Sequence, residues 1–189
     1  LSLSGSHPLA RWPRRGLATA LTVVTLAFLP AAQGGTLYWD TNGSTSGSGS
    51  TPNASWGTPN SKTNRKWSTN SNGAGSSVSF SNGSDAVFSA GSDATGAYTV
   101  NVIGTVGVSS ILVQDGNPTF TNGTIDFQDS TPDLTINTGH TLNFASALTS
   151  SGNGGLNLGG GGTLALSNSA TLSGTFDLGA SGASGTVLQ

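Results

Sequence analysis

The sequence predicts an all-β protein built as a right-handed parallel β-helix with a loop-rich N-terminal cap. Apolar residues alternate with polar ones in many short segments, and Gly or Asn separates most of these segments. No segment after residue 34 shows a helical 3.6-residue period. Near-identical short units recur, which favours a solenoid over the alternative, a β-sandwich, whose strands usually carry more charged residues.

Residues 1–34 are predicted to be a signal peptide. Arg11, Arg14 and Arg15 precede an uncharged apolar run over 16–29, and Pro30 and small residues follow it. We expect cleavage near Gly34. The run is short for a membrane span, which disfavours the alternative of an N-terminal anchor helix. The leader predicts export, to the cell surface, the outer membrane or the extracellular space.

Removal of the leader leaves an acidic chain. All eight acidic residues follow residue 34, against only three basic ones, Lys62, Arg65 and Lys66. Such a surface excludes nucleic acid as a partner. There is no Cys, so no disulfide framework and no thiolate chemistry is expected.

Residues 35–84 are predicted to form the loop-rich cap region, since Ser, Thr, Asn and Gly dominate and aliphatic residues are few. Trp39, Trp56 and Trp67 mark this region and allow two interpretations. Flat indoles stack on pyranose rings, which makes the three residues candidates for glycan binding. Alternatively, they close the N-terminal end of the solenoid, where unpaired strands would otherwise be exposed. The second interpretation is favoured.

Residues 85–189 are predicted to be the solenoid repeats, of roughly four coils. Many short pairs of apolar residues separated by one polar residue predict strands with one buried face. The pairs include Tyr98/Val100, Ile111/Val113, Ile125/Phe127, Leu134/Ile136, Leu142/Phe144, Leu156/Leu158 and Leu164/Leu166. The last residues begin another strand-like run, so we expect the repeats to continue beyond residue 189.

One repeat unit resembles a known family. The segment Gly160-Gly-Gly-Thr-Leu-Ala-Leu-Ser-Asn-Ser-Ala-Thr-Leu-Ser-Gly174 is similar to the autotransporter-associated β-strand repeat, although Asn168 stands where that repeat has Gly. The segment Leu37-Tyr-Trp-Asp-Thr-Asn-Gly43 resembles the region that often precedes these repeats in exported bacterial proteins. The resemblance implies a passenger-like β-helix displayed at or beyond the cell surface. It also implies membrane attachment only through a C-terminal part not contained in these residues.

Residues with catalytic or metal-binding chemistry are sparse. Asp126, Asp129 and Asp133 form the densest acidic group, but no Lys or Arg lies near them in sequence, so turn-forming or solvated roles are favoured over a polysaccharide lyase or hydrolase site. The glycine run 159–162 lacks the Asp of a calcium-binding β-roll unit. His140 has no second metal-ligating neighbour and is predicted to be a turn residue. We therefore predict no catalytic residue, metal or cofactor.

The leading functional hypothesis is a non-enzymatic exported structural or adhesive β-helix protein. Its partners would be extracellular polysaccharide or cell-surface components. The alternative is a polysaccharide-binding or polysaccharide-active β-helix, with the Trp residues or the Asp126 to Asp133 group at its site.

Overall fold

The computed structural model describes residues 1, 34–57, 65–152, 154–178 and 187–188. Nearly all of the predicted signal peptide, and Lys62, lie outside these residues. The described residues form fourteen strands and no helix. The strands are β1 (Thr36–Trp39), β2 (Ala54–Gly57), β3 (Trp67–Ser68), β4 (Ser84–Phe88), β5 (Ala97–Ile103), β6 (Thr105–Val113), β7 (Asn117–Phe127), β8 (Asp133–Ile136), β9 (Thr141–Ser150), β10 (Leu156–Gly160), β11 (Thr163–Leu166), β12 (Ala170–Leu172), β13 (Phe176–Leu178) and β14 (Val187–Leu188).

The strands stack in parallel into three faces. Face 1 contains β1, β4, residues 110–113 of β6, β8, β10 and β13. Face 2 contains β2, β5, residues 117–121 of β7, residues 141–145 of β9, β11 and β14. Face 3 contains residues 105–108 of β6, 124–127 of β7, 147–150 of β9 and β12. The chain thus forms a β-solenoid of about four turns, which confirms the predicted fold class and excludes the sandwich.

The alternation of apolar and polar residues determines which side chains enter the solenoid. In β9 every second residue is buried, from Leu142 through Ser150. Parallel register then places like residues in columns, since Phe120 pairs with Phe144 and Leu134 pairs with Leu158. Each added turn therefore extends one continuous apolar core rather than starting a new one.

The parallel stack begins upstream of residue 85. In β1, Leu37 pairs with Ala86 of β4, and in β2, Trp56 pairs with Val102 of β5. On its other side β1 pairs with the short antiparallel strand β3, so β3 covers the edge of face 1 that would otherwise be free. The loop-rich segment 35–84 therefore supplies both the first layer of the stack and the strand that closes face 1.

Tight turns between strands depend on glycine where two turns of backbone approach closely. Gly160 ends β10 with a φ of 88°, and a Cβ there would collide with the carbonyl oxygen of Ile136 on the previous turn. Within the glycine run 159–162, Gly160 and Gly162 thus lie where successive turns of backbone approach closely. Among the described residues, no helix has the length and apolar character needed to cross a bilayer.

Candidate functional site

A shallow, open groove of about 450 Å³ runs over the outer side of face 3. Its lining is almost entirely hydroxyl-bearing, with one carboxylate: Thr105, Thr124, Asp126, Thr149, Ser150, Ser151, Thr171 and Ser173. Parallel register aligns these residues across four turns, since Gly107, Asp126, Thr149 and Thr171 pair in succession. The groove is therefore a product of stacking, because no single turn contains more than a few of its residues.

Asp126 is the one carboxylate that lines this groove, and it is 8% exposed. Its Oδ2 accepts a hydrogen bond from Ser151 Oγ at 2.6 Å and a longer one from Gln128 Nε2 at 3.5 Å. Its Oδ1 accepts from Ser151 N and Thr149 Oγ1, both at 3.0 Å. Charge-assisted bonds of this kind stabilise a largely buried carboxylate without a cationic partner.

The groove offers hydrogen-bonding groups to a ligand. Both oxygens of Asp126 already accept two hydrogen bonds each, from neighbouring donors. The surrounding threonine hydroxyls can donate and accept, which suits a neutral, hydroxyl-rich ligand such as a saccharide.

The three aspartates that cluster in sequence have separate partners in the structure. Asp129 accepts a hydrogen bond from Ser109 Oγ at 3.0 Å, and this bond lowers the pKa of the Asp129 carboxyl. Asp133 begins β8, is exposed, and accepts from Asn157 Nδ2 at 3.1 Å. Over the part of the chain that the structure describes, no three His, Cys, Asp or Glu side chains are arranged to hold a metal ion.

The three tryptophans lie inside the solenoid and not on its surface. Trp39, Trp56 and Trp67 are each 0% exposed. Trp67 packs against the other two at ring-centroid distances of 5.1 Å and 5.0 Å and against Phe80 at 4.7 Å. A sugar ring needs an exposed indole face to stack on, so the glycan-stacking interpretation of these residues is wrong for this structure. They form the core of the first layer instead.

His140 immediately precedes β9, and its Nδ1 lies 3.0 Å from the carbonyl oxygen of Gly116 on the previous turn. This position next to the turn at 138–139 agrees with its predicted role as a turn residue.

A second polar cluster was missed by the sequence reasoning. The loop between β1 and β2 brings Asp40 and Asn42 close together, and Asp93, some 45 residues later in the chain, holds the same loop. The alternating oxygen-bearing residues of Asp40-Thr-Asn42-Gly are a sequence signal that could have drawn attention to it. The contribution of Asp93 had no signal in the sequence.

No known protein family's sequence profile matches this chain, and neither the curated proteins nor the solved structures include a significant match.

Proposed function

We propose that this chain is a non-enzymatic, exported structural or adhesive β-helix protein of the passenger type. The observation that carries the proposal is the ordered lattice of hydroxyl and amide groups on the outside of a continuously stacked core. Such a lattice suits broad, low-affinity contact with polysaccharide or cell-surface components.

Hydrogen bonds between successive turns hold this outer lattice in place. Asn122 Nδ2 donates to Asn101 Oδ1 at 2.7 Å, and Ser167 Oγ donates to Asn143 Oδ1 at 2.8 Å. Side chains that are hydrogen-bonded between successive turns lie 20 to 25 residues apart, so the polar groups repeat at about the spacing of the turns. A surface whose groups are fixed in this way loses little conformational entropy when it binds a partner.

The sparse charge of the chain supports a role without catalysis. Arg65 and Lys66 are the basic side chains with a described position, and neither lines the groove of face 3. A polysaccharide lyase needs a basic group beside its carboxylates, to take a proton or neutralise a uronate. The proposal therefore assigns Asp126 a structural role, as the hydrogen-bonded floor of the groove.

Export and surface location rest on the sequence: on the leader over 1–34 and on the resemblance to autotransporter-associated repeats. N-terminal sequencing of chain recovered outside bacterial cells tests export. A mature N-terminus near residue 34 is expected, and an intact leader on cell-retained protein would contradict it.

A second candidate function, binding of one defined polysaccharide, is favoured by the groove of face 3. Glycan-array binding of the full chain separates the two candidates. The adhesive role predicts weak binding to many glycans, while a defined site predicts one glycan class whose binding falls at least ten-fold in Thr124→Val and Thr171→Val. Thr119→Val, on the outer side of face 2, is the matched control. Release of new reducing ends or unsaturated uronates from any glycan would defeat the non-enzymatic proposal.

A further inference from the structure

The one carboxylate in the groove of face 3 is held by uncharged groups. All four hydrogen bonds to Asp126 come from neutral hydroxyl or N–H donors, which belong to Gln128, Thr149 and Ser151. No Lys or Arg with a described position lines the groove. Neutral donors stabilise a carboxylate but leave its unit charge in place, so the groove presents a negative charge to a ligand.

The donors differ in how firmly they hold Asp126. The bonds from Ser151 and Thr149 measure between 2.6 Å and 3.0 Å, which is ordinary for such donors. The bond from Gln128 Nε2 to Asp126 Oδ2 is 3.5 Å long, and Gln128 is an exposed residue. A long bond from an exposed, flexible side chain is easily exchanged for a bond from a ligand. Asp126 Oδ2 is therefore the oxygen at which a ligand donor can replace a protein donor.

The Gln128 side chain also fills a space beside Asp126. Gly107 pairs with Asp126 in the parallel register of β6 and β7, one turn earlier in the stack. A Cβ at residue 107 would collide with the Gln128 side-chain amide, so this amide lies against the Gly107 backbone. Because Gly107 has no side chain, rotation of Gln128 away from it would open room next to Asp126.

The geometry points to Asp126 as the specificity-determining residue of this groove. A hydroxyl of a neutral saccharide donates to Asp126 Oδ2 in place of Gln128, and the charge of Asp126 repels the carboxylate of a uronate. The ligand class is therefore a neutral glycan, and acidic glycans are excluded by repulsion. This inference rests on the second candidate function, the binding of one defined polysaccharide in the groove.

The charge of Asp126 has to be separated from the charge of the whole chain. Eight acidic residues follow residue 34, against three basic ones, so the chain as a whole also repels acidic glycans. Asp126 is 8% exposed and Asp133 is an exposed residue of face 1, so water screens the charge of Asp126 less. A local effect is therefore expected from Asp126 and not from Asp133.

The test uses the full chain and three pairs of oligosaccharide probes. Each pair contains a neutral 1,4-linked chain of glucose, mannose or galactose, and the same chain oxidised at C6 to the uronate. Calorimetric titration is expected to show, in at least one pair, that the neutral member binds roughly ten-fold or more tightly. Asp126→Asn keeps the size of the side chain and removes its charge, so the preference is expected to fall below about three-fold. Asp133→Asn removes the same charge outside the groove and is expected to keep the wild-type preference.

A second pair of variants adds a charge and remains informative if Asp126→Asn does not fold. Thr105 lines the groove and Thr99 lies on face 2, and both residues are exposed. Thr105→Lys places a cation in the groove, so the uronate is expected to bind within about three-fold of the neutral probe. Thr99→Lys adds the same net charge elsewhere and is expected to keep the wild-type preference.

Gln128→Ala tests the exchange of donors. No protein donor has to be displaced from Asp126 in this variant, so the neutral probe is expected to bind about two-fold or more tightly than to wild type. Unchanged or weaker binding would show that no such exchange takes place and would overturn that part of the inference.

Three results would overturn the role of Asp126 and leave the groove as a polysaccharide site. They are equal preferences in Asp126→Asn and Asp133→Asn, equal preferences in the two Lys variants, and tighter binding of a uronate than of its neutral partner by wild type. Absence of binding to every probe would instead overturn this inference together with the defined polysaccharide site.

Discussion

Gly160 lies against Ile136 of the preceding turn of face 1, so closely that the Ile136 carbonyl oxygen occupies the space that a Cβ at residue 160 would need. The two residues pair in the parallel register of β8 and β10. Backbone contact, together with the apolar core, therefore fixes the distance between successive turns of the solenoid.

This contact predicts that Gly160→Ala destabilises the fold more than Gly139→Ala does. Both glycines have a positive φ, of 88° and 86°. Backbone strain therefore lowers the free energy of unfolding of both variants by about 1 kcal/mol. A Cβ at residue 139 meets nothing within 4 Å, so only Gly160→Ala adds a steric cost, of roughly 1–3 kcal/mol. Denaturant unfolding followed by circular dichroism measures both. Equal losses would contradict the close contact.

Trp67→Ala is expected to lower the free energy of unfolding by about 3–5 kcal/mol, because it opens a large cavity in the aromatic core of the first layer. Ile103→Ala is the control, since Ile103 is 51% exposed and its truncation should change stability by no more than about 0.5 kcal/mol. Thermal and denaturant unfolding measure both. Comparable stability of the two variants would mean that the tryptophans do not form a packed core in solution.

Asp126→Ala is expected to lower the free energy of unfolding by about 2 kcal/mol. The reason is that the hydrogen bonds from Ser151 and Thr149 to a charged, largely buried acceptor are lost together. Asp133→Ala removes an exposed carboxylate with one such bond and is expected to cost no more than about 0.5 kcal/mol. The two are compared by denaturant unfolding at neutral pH. A cost for Asp133→Ala as large as that for Asp126→Ala would argue against Asp126 as the anchored floor of the groove.

The Ser109 hydroxyl predicts a contribution to acid stability. It lowers the folded-state pKa of Asp129 below the ordinary value of 3.8. The native state therefore binds the proton more weakly than the unfolded state, so the contribution is complete above that value and is lost as pH falls toward the folded pKa. In Ser109→Ala the free energy of unfolding is therefore expected to fall less than in wild type as the pH is lowered. Unfolding midpoints between pH 2 and pH 6 measure it, and identical profiles for variant and wild type would contradict the assignment.

The buried Asp40 carboxyl predicts the opposite pH dependence. Its folded-state pKa is raised above 3.8, chiefly by burial, so the native state binds the proton more tightly than the unfolded state. The cost of its charge grows as pH rises from that ordinary value through the folded pKa, and stays in full above it. Asp40→Asn removes this dependence and is expected to be more stable than wild type at neutral pH. An unchanged pH profile in the variant would show that Asp40 is not the group concerned.

Local patterns in the sequence predicted the class of fold but not where the stack begins. The alternation in β5 to β11 identified the strands and their buried side, because period two places successive side chains on opposite sides of a strand. The start near residue 85 followed from composition. Parallel pairing begins at Thr36, since long loops interrupt the first layer and hide its periodicity from a sequence window.

The candidate sites were only partly predictable. The sequence singled out Asp126, but the groove around it joins threonines from four turns, and only register could bring these together. The tryptophans were recognised as a group, yet whether an indole faces solvent or core depends on the strands packed around it. Their complete burial decided against glycan stacking.

By itself, the sequence determined an all-β solenoid with an apolar interior and a weakly charged, hydroxyl-rich exterior, because strand periodicity and composition are local properties. The tertiary structure decided which side chains meet. Contacts such as Asp93 with Ser48, or Thr149 with Asp126, join residues separated by one or more turns, and their geometry depends on register and loop path rather than on any local pattern.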